Sequence, residues 1–252
     1  MKLDIEVLNR NFVNRKTRYM KKIFLIITLL ISLSLFSQEI EKTKTNESGF
    51  ILKGSVGPSF RLARTPSNLP AYLKTYVANL KSGMSYDFSG YFLINKSHNA
   101  IGLKYNSFNS KASVGPLDLT APNGETGYDR TSDDITISFI GLSYGYFGLV
   151  DDENGGFDME MALGLVSYKD KTNVLGAYEI TGSTIGLVGS FGYDIKLVKG
   201  LYVEPKLGYA MGTISQFDIK GENGYKGKIK LEGDSKESLF RIDFSVGLNY
   251  RF

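Results

Sequence analysis

From residue 50 to the last residue, apolar and polar positions alternate with a period of two, broken at regular intervals by polar, turn-prone segments. The closing segment shows the pattern most fully. Phe240, Ile242, Phe244, Val246, Leu248, Tyr250 and Phe252 alternate with Arg241, Asp243, Ser245, Gly247, Asn249 and Arg251. Successive side chains of a strand point to opposite faces, so this stretch forms a strand with one apolar and one polar or small face. A helix would scatter the same charges around its circumference. The alternation recurs around residues 50–62, 84–92, 100–106, 157–165, 185–197 and 201–212.

One segment departs from it. Ile135, Ile137 and Phe139 share one parity, while Ile140, Leu142, Tyr144 and Tyr146 take the other. A β-bulge near Phe139 and Ile140 would restore a single apolar face. With this segment the count is eight strands, each long enough for a tilted membrane strand of about 9–11 residues. The connections alternate in length: short at 95–99, 150–155 and 198–200, long at roughly 63–82, 109–133, 168–183 and 217–237. Short turns at one end and long loops at the other describe an all-β, eight-stranded, antiparallel up-and-down transmembrane β-barrel. Within the first long loop, Leu69, Tyr72, Leu73, Tyr76 and Leu80 have helical spacing after the cap candidates Ser67 and Asn68. In the last, Glu222, Asn223 and Gly224 separate two alternating runs and predict a projecting hairpin.

Eight alternating strands also fit a soluble, lipocalin-like barrel that binds an apolar ligand, so the decision turns on which face is enclosed. Glycines crowd the polar face (Gly102, Gly164, Gly186, Gly192, Gly208 and Gly247), as a narrow interior requires. The charges on that face are balanced in sign: Asp87, Asp158, Glu160, Asp194, Glu204 and Asp243 against Lys53, Arg61, Lys104, Lys196, Lys206, Arg241 and Arg251. Enclosed charges must pair, because an isolated buried ion is costly. Both features favour polar-in and lipid-out.

The amino-terminal region agrees. Residues 20–37 carry Met20, Lys21 and Lys22, then an apolar run at 23–36, too short for a comfortable spanning helix and suited to a signal-peptide core. Residues 1–19 read as an upstream-start extension, 38–48 as a polar lead-in and 49–252 as the barrel, with the mature chain beginning at or near Gln38. Of 30 Lys/Arg and 26 Asp/Glu, seven and two lie in residues 1–37, leaving 23 and 24. The basic balance therefore belongs to the leader, and no nucleic-acid partner is expected.

The segments GSVGPSFRL at 54–62, MSYDFSGYF at 84–92, AIGLKYNSF at 100–108 and the terminal FSVGLNYRF resemble the outer-membrane β-barrel domain family, which includes small OmpA/OmpX-type barrels. The resemblance spans about residues 48–252. It implies location in the bacterial outer membrane, contact with outer-membrane lipid, and insertion by the barrel-insertion machinery through the last strand and Phe252.

Candidate chemistry is sparse. The chain has no Cys and a single His, which removes thiol chemistry and multi-histidine metal sites. His98 falls in a short turn on the expected periplasmic side, away from any partner serine. Glu125, Asp129, Asp133 and Asp134 offer carboxylates for a Ca²⁺ ion, but in no EF-hand spacing. Lys220, Lys226, Lys228, Lys230 and Lys236 make the last loop basic, as either a solvated face or a contact for anionic lipopolysaccharide or a partner. No enzyme activity, cofactor, catalytic residue or metal site is expected. The function expected is a structural or surface-interaction role, with a narrow channel or small-solute binder as the alternative.

Overall fold

The computed structural model describes residues 49–63, 70–94, 98–152, 155–222 and 224–252. The predicted extension, signal peptide and lead-in (1–48) and the cap candidates Ser67 and Asn68 lie outside the described residues. The elements in chain order are β1 (Phe50–Arg61), α1 (Ala71–Lys81), β2 (Ser82–Leu93), β3 (Asn99–Thr120), β4 (Thr126–Asp152), β5 (Gly155–Asn173) and β6 (Ala177–Val198). They continue as β7 (Leu201–Met211), β8 (Thr213–Ile214), β9 (Gln216–Gly221), β10 (Lys226–Lys230), β11 (Glu237–Ser238) and β12 (Arg241–Arg251). Strands β1 to β7 pair antiparallel in sequence order, β7 pairs with β12, and β12 pairs with β1, which closes a ring of eight. At the seam Ile51 lies opposite Arg251, and the Phe252 amide donates to the Phe50 carbonyl at 3.0 Å. The last strand therefore meets the first, which leaves no open strand edge in the ring.

The outward face is apolar and the inward face polar. Leu103, Leu142 and Ile185 are 62%, 74% and 73% exposed, whereas Lys104 and Asp194 are 1% and 0% exposed. A soluble ligand-binding barrel has the opposite polarity, so that alternative is excluded. Register rows on the outer face run straight across four strands. Leu103, Leu142, Leu163 and Leu187 form one row; Tyr105, Ile140, Leu165 and Ile185 form the next. The row after that is Ser107, Ser138, Ser167 and Ser183, and from there the same face turns polar with Asn109, Thr136, Lys169 and Thr181. Aromatic side chains gather at the end carrying Phe50 and Phe252: Phe50 lies 4.8 Å from Phe92 and 5.6 Å from Phe252 between ring centroids, and Phe157 lies 4.7 Å from Tyr193. Such girdles mark membrane interfaces.

Three expectations are corrected. The bulge near Phe139 and Ile140 is absent: β4 pairs without interruption from residue 131 to 146 with β3 and from 132 to 147 with β5. The parity change is real, and Ile135, Ile137 and Phe139 face inward as an apolar plug (below). The connections at 109–133 and 168–183 are extensions of strands, not open loops, so β3 to β6 rise beyond the ring as a sheet; β9 and β10 join it through β6 in the hairpin that Glu222 and Gly224 predict. Finally, α1 starts at Ala71 with Pro70 at its N-cap, without a side-chain cap bond.

The polarity makes a direct prediction. Leu207 sits mid-strand on the lipid face of β7, so Leu207→Arg should cost roughly 2–4 kcal/mol of folding stability in lipid bilayers. Ser167→Arg, beyond the apolar rows, should cost about 0–1 kcal/mol in the same denaturant titration.

Candidate functional site

The interior is built in layers. At the turn-side end, Ile51, Tyr91, Ala100 and Phe147 form a small apolar cluster, with the rings of Tyr91 and Phe147 4.9 Å apart. Above it lies a connected ionic layer. Lys53 Nζ reaches Asp158 at 3.1 Å, Glu160 at 2.8 Å and Glu204 at 2.8 Å. Lys104 Nζ reaches Asp87 at 2.9 Å and Glu160 at 2.5 Å, and Lys206 reaches Asp87 at 3.0 Å. Arg251 binds Asp194 at 2.5 Å, beside the Asn249 amide, which donates to the same oxygen at 2.6 Å. Tyr91 donates to Glu160 at 2.8 Å. Arg241 binds Asp243 at 3.2 Å and donates to Asn106.

Parity assigns all of these charges to the interior, and Arg61 with them, which binds Glu237 at 2.6 Å. It assigns Lys196 there too, but Lys196 is exposed at the short β6 to β7 connection, where the strand has already left the enclosed layer. Glycine makes room for this chemistry. A Cβ at Gly192 would come within 2.2 Å of the Glu204 carboxylate. Gly141, Gly164 and Gly186 continue the register row of Lys104, and there Phe139 and Val166 fold over the bare backbone: a Cβ at Gly141 or Gly186 would strike them at 2.7 and 2.4 Å.

The layer above is the plug. Phe108, Ile135, Ile137, Phe139, Val166 and Val188 close on Ile214 of β8 and Leu239, with Leu80 of α1 and Phe217 of β9 packed against them. Sequence reasoning missed it because inward apolar residues break the simple alternation. The signal was the parity change itself.

The remaining candidates are not brought together. His98 is exposed at a short connection, its Nδ1 2.6 Å from the Phe147 carbonyl and its ring stacked on Tyr146. Asp133 and Asp134 point to opposite faces of β4: Asp134 outward, 2.7 Å from Lys111, and Asp133 inward, accepting from the Tyr76 hydroxyl of α1. Glu125 and Asp129 lie exposed near the hairpin tip. Among the described residues the carboxylates of Asp158, Asp194 and Glu204 come within 4.8 Å of one another, and the cations that meet them are Lys53 and Arg251.

A closed ring with lipid-compatible residues outside and paired ions inside decides the architecture. The fold is a small membrane-spanning β-barrel. No protein-family model matches the chain, and no curated protein matches its sequence. Solved structures similar to it include neisserial surface protein A (14% identity, 82% of this chain and 100% of that chain, TM-score 0.45). A major outer membrane protein from Thermus thermophilus matches at 11% identity, 80% and 99% coverage and TM-score 0.48. OprG from Pseudomonas aeruginosa matches at 13% identity, 82% and 97% coverage and TM-score 0.46. The barrel assignment rests on strand closure and face polarity.

Two predictions concern the barrel's interior and its outer end. Lys53→Met leaves three buried carboxylates short of a cation and should cost roughly 3–5 kcal/mol, and adding Glu204→Gln should recover part of that loss in lipid-reconstituted unfolding. Asp170 lies beyond the spanning part of β5, where burial and then the neighbouring Asp133 carboxylate push its carboxyl up to about 7. The folded state then holds that proton more tightly than the unfolded chain. The carboxyl's contribution to stability falls as pH rises from the ordinary carboxylate range, ~4, through about 7, and is level above. Asp170→Asn should remove this slope, read as hydrogen-exchange protection of the α1 amides across that pH range.

Proposed function

We propose that the protein is an outer-membrane β-barrel with a structural or surface-interaction role and no enzymatic activity, exported by a signal peptide at residues 20–37. It presents the sheet of β3 to β6, β9 and β10 on the extracellular side. The short connections, the aromatic girdle and Phe252 face the periplasm, and the barrel-insertion machinery takes hold of the terminal strand there.

The observation that carries this reading is the filled interior. An eight-stranded ring has a lumen just wide enough for side chains. Here, among the described residues, an ion-paired layer lies between two apolar clusters, and side chains fill the interior. The sequence left open a narrow channel or small-solute binder, and the plug speaks against it.

The test combines location with conductance. The protein should fractionate with the outer membrane, migrate differently before and after heating, and pass no steady current in planar bilayers. Steady single-channel conductance would replace the structural reading with the transport one. Deleting Phe252 should lower outer-membrane abundance more than it lowers the denaturant midpoint of barrels already folded; normal abundance would remove the insertion role.

A further inference from the structure

The enclosed charges do not cancel. Of the seven basic residues that parity assigns to the interior, Lys196 is exposed and Arg61 is taken by Glu237 at 2.6 Å. Among the described residues, five cations then face six inward carboxylates. The excess can be placed. Asp243 has Arg241, Asp87 has both Lys104 and Lys206, and Glu160 shares Lys104. Asp158, Asp194 and Glu204 are left with Arg251 and with Lys53, which also meets Glu160. A net buried charge is costly, so a further positive charge belongs among these three.

Strand geometry brings them together. Asp158 of β5 lies opposite Gly192 of β6, Asp194 follows two residues along on the same face, and the Glu204 side chain of β7 crosses the bare backbone of Gly192. The three carboxylates offer oxygens that all lie within 4.8 Å of one another. Asn249 of β12 joins them through its amide, which donates to Asp194 at 2.6 Å. Two acceptors here receive no hydrogen bond: Oδ1 of Asp194 and Oδ1 of Asn249, on side chains that are both 0% exposed. A bridging water would serve both acceptors but carry no charge. A proton would supply the charge but leave the amide oxygen without a partner. A small cation does both. Oxygens within 4.8 Å of one another suit an ion–oxygen distance of about 2.4 Å, that of Ca²⁺ or the similarly sized Na⁺. One excess charge beside Lys53 and Arg251 selects the monovalent ion. We propose that Asp158, Asp194, Glu204 and Asn249 hold one Na⁺ ion in the turn-side half of the barrel interior. The ion enters past Arg251, whose side chain is 13% exposed where those of Asp158 and Asp194 are fully enclosed.

The test uses the mature chain folded into phosphatidylcholine vesicles and unfolded with urea at constant ionic strength. Na⁺ is exchanged stepwise for tetramethylammonium, which is too large for the cluster, and heat-dependent mobility reports whether each sample has folded. Above half-saturation, each tenfold rise in Na⁺ should raise the folding equilibrium constant of wild type about tenfold. The variant D194N removes the excess charge, and its equilibrium constant should stay level across the series. The variant N249A keeps every charge but loses one oxygen ligand, so it should need more Na⁺ for the same rise. Equilibrium dialysis with radioactive sodium should find one ion per wild-type barrel and none in D194N. Wild-type stability equal in Na⁺ and tetramethylammonium, with no sodium retained in dialysis, would overturn the proposal whether or not the variants fold. So would stability that follows pH alone, which would give the excess charge to a proton shared between carboxyl groups. A response to Ca²⁺ at concentrations where Na⁺ has no effect would also overturn it.

Discussion

Hydrocarbon offers the peptide backbone no hydrogen-bond partner, so a strand crossing a membrane needs a neighbour on both sides. Closure of β12 onto β1 meets that constraint, and the rest of the structure follows from it. A closed ring of eight strands encloses a volume that only side chains can fill. Period-two geometry then divides every strand into a lipid face and an enclosed face. What is enclosed must be packed or paired. Lys53 sits among three carboxylates and Lys104 between two, while a glycine row lets Phe139 and Val166 cover the backbone beside them. The ionic layer adds little net stability over an apolar core of equal volume, yet its members depend on one another, because removing one leaves a buried charge unpaired.

Parity carries most of the fold. The terminal segment shows its two faces without interruption, and its pairing with β1 follows from the need to leave no edge in lipid. Parity alone places six acidic residues and most of the basic ones inside, where they are buried; Lys196 escapes because alternation does not show where a strand leaves the enclosed layer. The reading of β4 fails for a different reason. Inward apolar residues and outward apolar residues look alike in one dimension, so Ile135, Ile137 and Phe139 suggest a bulge where the strand in fact changes from lining an ionic layer to lining a plug. The extended strands at 109–120, 126–133, 168–173 and 177–183 read as loops because their outward residues are serine, threonine, lysine and acids. Once a strand leaves the membrane, both of its faces are free to be polar. The pairing of Tyr76 with Asp133 depends on α1 and is not visible in local sequence, whereas the separation of Asp133 from Asp134 follows from alternation once this stretch is a strand.

The same division of faces extends outside the membrane and gives the molecule its two surfaces. Toward the barrel axis, the projecting sheet is capped by α1 and the apolar plug, with Asp133 and Asp170 between them. Away from the axis, it presents lysines on the line of the lipid-facing strands.

Accessibility of successive residues along β5 tests the account most directly. Spin labels, or amide relaxation with lipid-dissolved and water-dissolved quenchers, should show Met159, Met161, Leu163 and Leu165 reached from lipid and Lys169 and Lys171 reached from water. Asp158, Glu160 and Ala162 should be shielded from both. Water access to Glu160 and Ala162 would mean an open lumen, and lipid access to those even-numbered positions would reverse the faces; either result would contradict a closed, ion-paired membrane barrel.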